Sequence, residues 1–217
     1  MSCSQCQGID EVFGEDYVGQ QLRRYREKGA GKTTRMLSEA LASEGVSGLE
    51  LLDIGGGLGA LQHDLLEAGA AHATHVEAAH AYYRAAKEEA VRRGLAQKVS
   101  FRLGNFVDLA QDIDAADVVT LDRVICCYPE MEEIVKLSAE RARKLYGLVY
   151  PRDTWWNRLG VAVDNLWMRV RGSSFRGYVH PTREVEKLLL ERGFVKRFFK
   201  QTALWQITVW RLNGTAT

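Results

Sequence analysis

Asp53, Gly55, Gly57 and Gly59 stand at alternate positions in LLDIGGGLGAL, residues 51–61. Glycine accepts backbone angles that a Cβ forbids, and it lets a ligand touch bare main-chain amides. Asp53, Ile54, Gly55, Gly56, Gly57 and Gly59 are therefore candidate ligand-binding residues at a strand-to-helix turn. The spacing departs from the dinucleotide fingerprint G-x-G-x-x-G, which seats a pyrophosphate on a helix N-terminus. The sixth position is Ala60 when counted from Gly55 and Gln62 when counted from Gly57. A carboxylate at Asp53 would repel a pyrophosphate, but through water it can help hold an ammonium group. Glu77, followed by Ala78, ends the next apolar run 24 residues after Asp53. An acid at that place can accept from both hydroxyls of a ribose. Strand, glycine turn, helix, strand and acid in this order predict a nucleoside lying across a sheet edge.

A second group follows a later apolar run: Asp122, Arg123, Cys126, Cys127 and Tyr128. Arg123 offers a forked contact to an anionic group, or a surface ion pair. Tyr128, before Pro129, lines a pocket or packs. His180, before Pro181, is a candidate base or an ordinary loop histidine. Cys3 and Cys6 have C-x-x-C spacing, and four thiolates suit zinc. Adjacent cysteines do not readily face one metal, so reduced thiols without a metal are expected. GAGKTT at 29–34 lacks the first glycine of a phosphate loop, because Arg26 stands there and helical residues precede it.

The elements that must position these residues alternate in type. Apolar runs at 49–54, 73–78, 98–104, 117–125 and 144–150 read as buried strands. Helical segments fall between them at 58–70, 81–94 and 130–143. That alternation argues for a parallel sheet with helices on both faces and ligands at the carboxyl ends of its strands. A helix at 181–194 and two tightly joined strands, 195–201 and 203–212, close the chain as an antiparallel pair. Ahead of the sheet, residues 1–15 read as a polar arm, and 17–28 and 33–44 as helices. Residues 1–48 are thus expected to cover the site of a ligand-binding domain at 49–217. Residues 152–171 are helical and rich in tryptophan. Their apolar face suits a lid that keeps water out, a core or homodimer seam, or a membrane contact.

Composition narrows the classes. The chain has 217 residues, 46% hydrophobic and 26% charged, enough for one domain with a core of its own. A net charge of +1 implies no wholesale attraction to nucleic acid or membranes. The basic stretch from Arg183 to Lys200 reads as a solvated face. There is no apolar leader and no run of about 18 apolar residues, so the cytoplasm is the expected compartment and no transmembrane segment is expected.

At these motifs the chain resembles class I S-adenosylmethionine (SAM)-dependent methyltransferases, over roughly 49–212. LLDIGGGLG is similar to the family's first motif, and THVEA (74–78) to the second, which carries the ribose-binding acid at Glu77. LGNFVDL (103–109) is similar to the third, in which an aspartate commonly receives the adenine amino group. Asn105 stands there, and its oxygen can accept too. Phe106 can lie along the adenine ring. DVVTLDRVICCYP (117–129) is similar to the fourth motif, near the transferable methyl, which puts Asp122 by the cofactor. The glycine turn and LDRVICCYP show a finer resemblance to magnesium-protoporphyrin O-methyltransferases, with Cys127 where those enzymes carry a histidine.

The resemblance implies an α/β fold: a Rossmann-like mixed seven-stranded sheet with helices on both faces and an antiparallel C-terminal strand. It implies SAM as cofactor and S-adenosylhomocysteine as product. The expected reaction is methyl transfer to a small-molecule acceptor, flat or apolar, with oxygen slightly favoured. A carboxylate acceptor needs no base, whereas a hydroxyl or thiol must lose a proton. Two other readings stay open: a non-catalytic SAM-binding or cysteine-based metal-sensing module, and an RNA methyltransferase.

Overall fold

The structure is a computed structural model that describes residues 4–214, with side chains from residue 8 onward. Strands β1 (Glu50–Ile54), β2 (His72–Glu77), β3 (Val99–Leu103), β4 (Ala116–Asp122), β5 (Ala142–Pro151), β6 (Phe194–Gln201) and β7 (Trp205–Leu212) form one sheet. Its order is β3-β2-β1-β4-β5-β7-β6, and β7 runs antiparallel to both neighbours. The expected mixed sheet is thus present. The strand order reverses between β1 and β4, so the crevice of the fold opens beyond their carboxyl ends.

Alternation along the strands builds two cores. Leu51, Val118, Leu145 and Val149 face α3 (Lys32–Ser43) and α4 (Ala60–Glu67), where Leu37, Leu41 and Leu65 are fully buried. Leu52, Ile54, Val119 and Leu121 face α7 (Met131–Glu140) and α9 (Thr182–Glu191) on the other side. Asp53 therefore shares its sheet face with Leu51, and this acid sits at 1% exposure between His75 of β2 and Thr120 of β4.

The N-terminal region departs from a plain polar arm. Ser4–Val12 forms helix α1, and α2 (Glu15–Lys28) follows after Phe13 and Gly14. Ile9 is buried, and Phe13 packs against Tyr17, Tyr82 and Phe175, so tertiary contacts stabilise a short helix that periodicity does not reveal. Glu15 and Asp16 at the start of α2 and Arg26 and Lys28 at its end complement its dipole. Arg26 donates at 2.9 Å to Glu89 of α5 (His80–Arg92), which pins α2 across the sheet edge. A four-residue helix, α6 (Phe106–Leu109), follows β3. The tryptophan-rich segment is α8 (Trp155–Val170).

Candidate functional site

A cavity of about 630 Å³ opens at the carboxyl ends of β1, β2 and β4, within the size range of small-ligand sites. Asp53, Ile54, Gly55, Gly56, Gly57, Glu77, Ala78, Phe106, Asp122, Arg123 and Tyr128 all line it, as do Cys126 and Cys127.

The glycine turn is held from below. Gly55 has φ 61, and a Cβ on it would lie 2.5 Å from Val124. A Cβ on Gly56 would lie 2.5 Å from His75 Nδ1 and 2.7 Å from an Asp53 oxygen. The turn is therefore glycine partly because of what lies under it. Its amides are not bare as expected. Those of Gly55 and Gly56 donate to the Val76 carbonyl, that of Gly57 to Glu77 Oε2 at 2.9 Å, and that of Gly59 to the Gly56 carbonyl. A ligand would meet the flat of the loop rather than its N–H groups. Gly59 does not line the cavity; it caps α4 at φ 76.

Glu77 is buried and accepts from Gly57 and, at 2.8 Å, from the Ala79 amide. Burial pushes its carboxyl up, and these amides oppose the shift. Each oxygen keeps a lone pair for a further donor. Thr120 donates to Asp53 Oδ1 at 2.7 Å, while Asp53 Oδ2 has no partner. Burial, and to a lesser degree the neighbouring Asp122 and Glu77, raise Asp53 to about 7. Three carboxylates thus converge on one cavity, and such an arrangement favours a cationic ligand.

Asp122 ends β4 and is held on both sides. Thr34 donates to Oδ2 at 2.5 Å, and Arg123 Nε to Oδ1 at 3.1 Å. Arg123 has φ 63, an uncommon angle for a side chain of its size. Its guanidinium reaches Thr34 at 3.4 Å and lies 6.0 Å from the Trp205 ring. Arg123 therefore pairs with Asp122 and also lines the cavity.

Three expectations need correction. His180 does not line the cavity. It is buried, Nε2 donates to the Ile125 carbonyl at 2.9 Å, and burial lowers its pKa, so it braces a loop and is not placed to act as a base. Asn105 lies behind Tyr128 and not on the cavity wall. Its oxygen accepts from Tyr128 Oη at 2.5 Å and from the Val107 amide at 3.3 Å, so its acceptor capacity is already engaged. The α8 face is not a lid, since no residue of α8 lines the cavity. Phe13, Tyr17 and residues 29–34 line the cavity instead, beside Trp205 of β7.

Residues 29–34, Thr34 above all, were missed as site residues. Their sequence signal, GAGKTT, was set aside because Arg26 stands where a phosphate loop needs its first glycine. Trp205 carried no signal, being one aromatic in a strand. Cys3 and the Cys6 side chain lie outside the described residues. The Cys126 hydrogen bond and burial hold the Cys127 thiol well above its usual range, so it is not a ready thiolate. No group of three metal-ligating side chains occurs among the described residues. The basic stretch is largely paired: Lys196 with Glu186, Arg192 with Glu140, Arg197 with Glu44.

Sheet order, glycine turn and convergent acids define a nucleoside-binding Rossmann-like fold suited to a cationic cofactor. The family described as "Methyltransferase domain" matches residues 52–146, which contain the turn, Glu77 and Asp122. The chain thus has the domain match and the fold of SAM-dependent methyltransferases, the match spanning residues 52–146. Among solved structures, it is similar to magnesium protoporphyrin IX methyltransferase from Synechocystis with bound SAH. The identity is 19% and the TM-score 0.72, covering 94% of this chain and 97% of that one. It is also similar to an O-methyltransferase family protein from Burkholderia thailandensis, at 16% identity and TM-score 0.72, covering 94% of this chain and 61% of that one. A third is an O-methyltransferase family 2 protein from Planctomyces limnophilus in complex with apigenin, at 14% identity and TM-score 0.64, covering 91% and 61%. A sequence comparison with curated proteins gives no match.

Proposed function

We propose that this chain methylates an oxygen, preferably a carboxylate, on a flat and largely apolar small molecule. The observation that carries the reading is the cavity wall. Aromatic side chains (Phe13, Tyr17, Tyr82, Phe106, Tyr128, Trp205) surround a site whose cations are Arg24, Lys32 and Arg123 and which no histidine lines. An aromatic wall suits a planar body, and a nearby guanidinium suits its carboxylate. A carboxylate acceptor needs no general base, in keeping with a cavity where burial raises Tyr82 and Cys127 stays protonated.

SAM, when bound, supplies a methyl group on a sulfonium, already an activated electrophile. This chain's residues do the rest. Glu77 holds the ribose hydroxyls, Asp53 and Asp122 offset the cationic end, and Phe106 flanks the base. Arg123 orients the acceptor, and α1, α2 and residues 29–34 exclude water. Orientation of this kind can lower a barrier by up to about 7–11 kcal/mol. The bound product would be S-adenosylhomocysteine. We infer a cytoplasmic reaction, in a compartment where the cysteines stay reduced.

The test is calorimetry with SAM and S-adenosylhomocysteine, followed by transfer of labelled methyl to planar aromatic carboxylates, phenols and thiols. Ester formation on the carboxylates is expected. Turnover confined to phenols or thiols would overturn the acceptor, and absence of binding heat would overturn the cofactor roles.

A further inference from the structure

Trp155, Leu159, Val163, Leu166, Trp167 and Val170 of α8 are all exposed; Trp155 shows 72% of its surface and Val170 73%. At about 100° per residue they fall within one arc of about 120°. That arc lies diametrically opposite Asn157, Val161, Asn165 and Met168, which face the protein. Single exposed apolar side chains need no explanation, but a continuous stripe of this size does.

We propose that α8 is an in-plane docking helix for an anionic lipid surface. Three observations favour a bilayer over a second copy of the chain. First, the stripe lies on the outward crest of a helix, so a flat apolar surface can cover all of it. Second, residues 152–176 hold five arginines against two aspartates, net +3, in a chain whose total is +1. Arg171 lies 4.5 Å from the Trp167 ring and Arg152 5.8 Å from the Trp156 ring. At one end the Arg171–Trp167 pair suits the headgroup level; at the other, Arg152 donates to the Thr202 carbonyl at 3.0 Å and keeps its guanidinium against the protein. Third, Arg169 and Arg158, the latter paired with Asp153 at 2.7 Å, share one flank. An antiparallel two-fold pair of α8 helices would set that flank against its own copy, like charge against like. No helix among the described residues is long and apolar enough to cross a membrane, so the contact is interfacial.

The placement gives the docking a purpose. Asn157 Nδ2 donates to the Leu204 carbonyl at 2.8 Å, and the next residue, Trp205, lines the cavity. Beyond the other end of α8, Phe175 lies 5.8 Å from Phe13, which also lines it. Docking would bring the cavity rim to a bilayer in which an apolar acceptor dissolves. That consequence rests on the proposed acceptor; the docking itself does not.

The test is co-sedimentation of the full chain with phosphatidylcholine vesicles, with and without phosphatidylglycerol. The expected result is binding to the anionic vesicles that falls in about 0.5 M salt. Leu166→Asp should lower it by about ten-fold or more, with circular dichroism and SAM binding heat unchanged. Wild-type protein left in the supernatant with anionic vesicles would overturn the proposal, as would undiminished binding by the variant. A dimer in sedimentation velocity that Leu166→Asp converts to monomer, without lipid binding, would assign the stripe to a second copy instead. Loss of SAM heat in the wild type would count against the cofactor roles alone, so the two failures are distinguishable.

Discussion

Asp53 is a fully buried acid set between His75 and Thr120 on its face of the sheet. With its carboxyl raised to about 7 it is largely protonated in mildly acid solution. A cationic ligand binds the ionised form better, so SAM affinity should rise with pH. Between about pH 6 and 8 we expect the dissociation constant to fall by up to about ten-fold. Calorimetry at stepped pH measures this, and Asp53→Asn should flatten the curve; weaker binding as pH rises would contradict the assignment. Glu77 needs no such titration. Its two oxygens are already aimed by the Gly57 and Ala79 amides, so in the proposed role it would meet a ribose without reorganisation. Replacing it by alanine should weaken SAM by about 2 kcal/mol, roughly thirty-fold. Both positions were legible in the sequence because each lies at the carboxyl end of a short strand, Asp53 next to last in β1 and Glu77 last in β2. Asn105 was misread because its oxygen is engaged by Tyr128, 23 positions away.

The N-terminal helices are seated by apolar packing of Val18, Leu37 and Leu41, and polar contacts fasten them over the site. Thr34 at the start of α3 hooks onto Asp122 at the end of β4, and Arg26 of α2 reaches Glu89 of α5. Thr34→Val removes the first fastening and should cost about 1 kcal/mol. Limited proteolysis should then cut faster around residues 29–34, and the SAM dissociation constant should rise several-fold. Equal cleavage rates would mean that the cover is held elsewhere. Glu89 is the stronger joint. Burial disfavours its charge, but hydrogen bonds from Arg92, Arg26 and Arg93 outweigh burial and bring it down to about 2. Glu89→Gln should destabilise the fold by about 3 kcal/mol, read from denaturant unfolding, because three cations lose their common partner. The helices themselves were legible at 17–28 and 33–44. Which surface they cover was not, since an amphipathic period says that a face is buried and not against what.

At the scale of the whole molecule, a buried polar cluster lies beneath the glycine turn. Burial lowers His63 to about 4 and His75 to about 3 from an ordinary value of 6.5. Both are neutral in the fold and become charged on unfolding in acid. Their contribution to stability is present above about pH 6.5 and is lost as pH falls toward 4. The slope is about 1.4 kcal/mol per pH unit for each. Asp53 has the opposite sign. Its raised pKa favours the fold below its ordinary value of 3.8, and that advantage is lost as pH rises through about 7. Denaturant unfolding at stepped pH should therefore show stability falling between pH 6.5 and 4, more steeply in Asp53→Asn than in the wild type. A shallower dependence in the variant would refute the opposition.

The sequence by itself determined the alternating sheet, the reversed last strand, the glycine turn and the acid at the end of β2. Each is written in a short window, as a period of two or 3.6 residues or as a local turn requirement. Tertiary structure decided what closes the site and how its acids behave. Thr34 meets Asp122 across 88 positions, Trp205 reaches the rim from a distant strand, and His180 turns inward to a loop carbonyl. It also left the α8 stripe outside the cavity. Periodicity identifies a face, but only packing fixes its neighbour, and charge states follow from the neighbours.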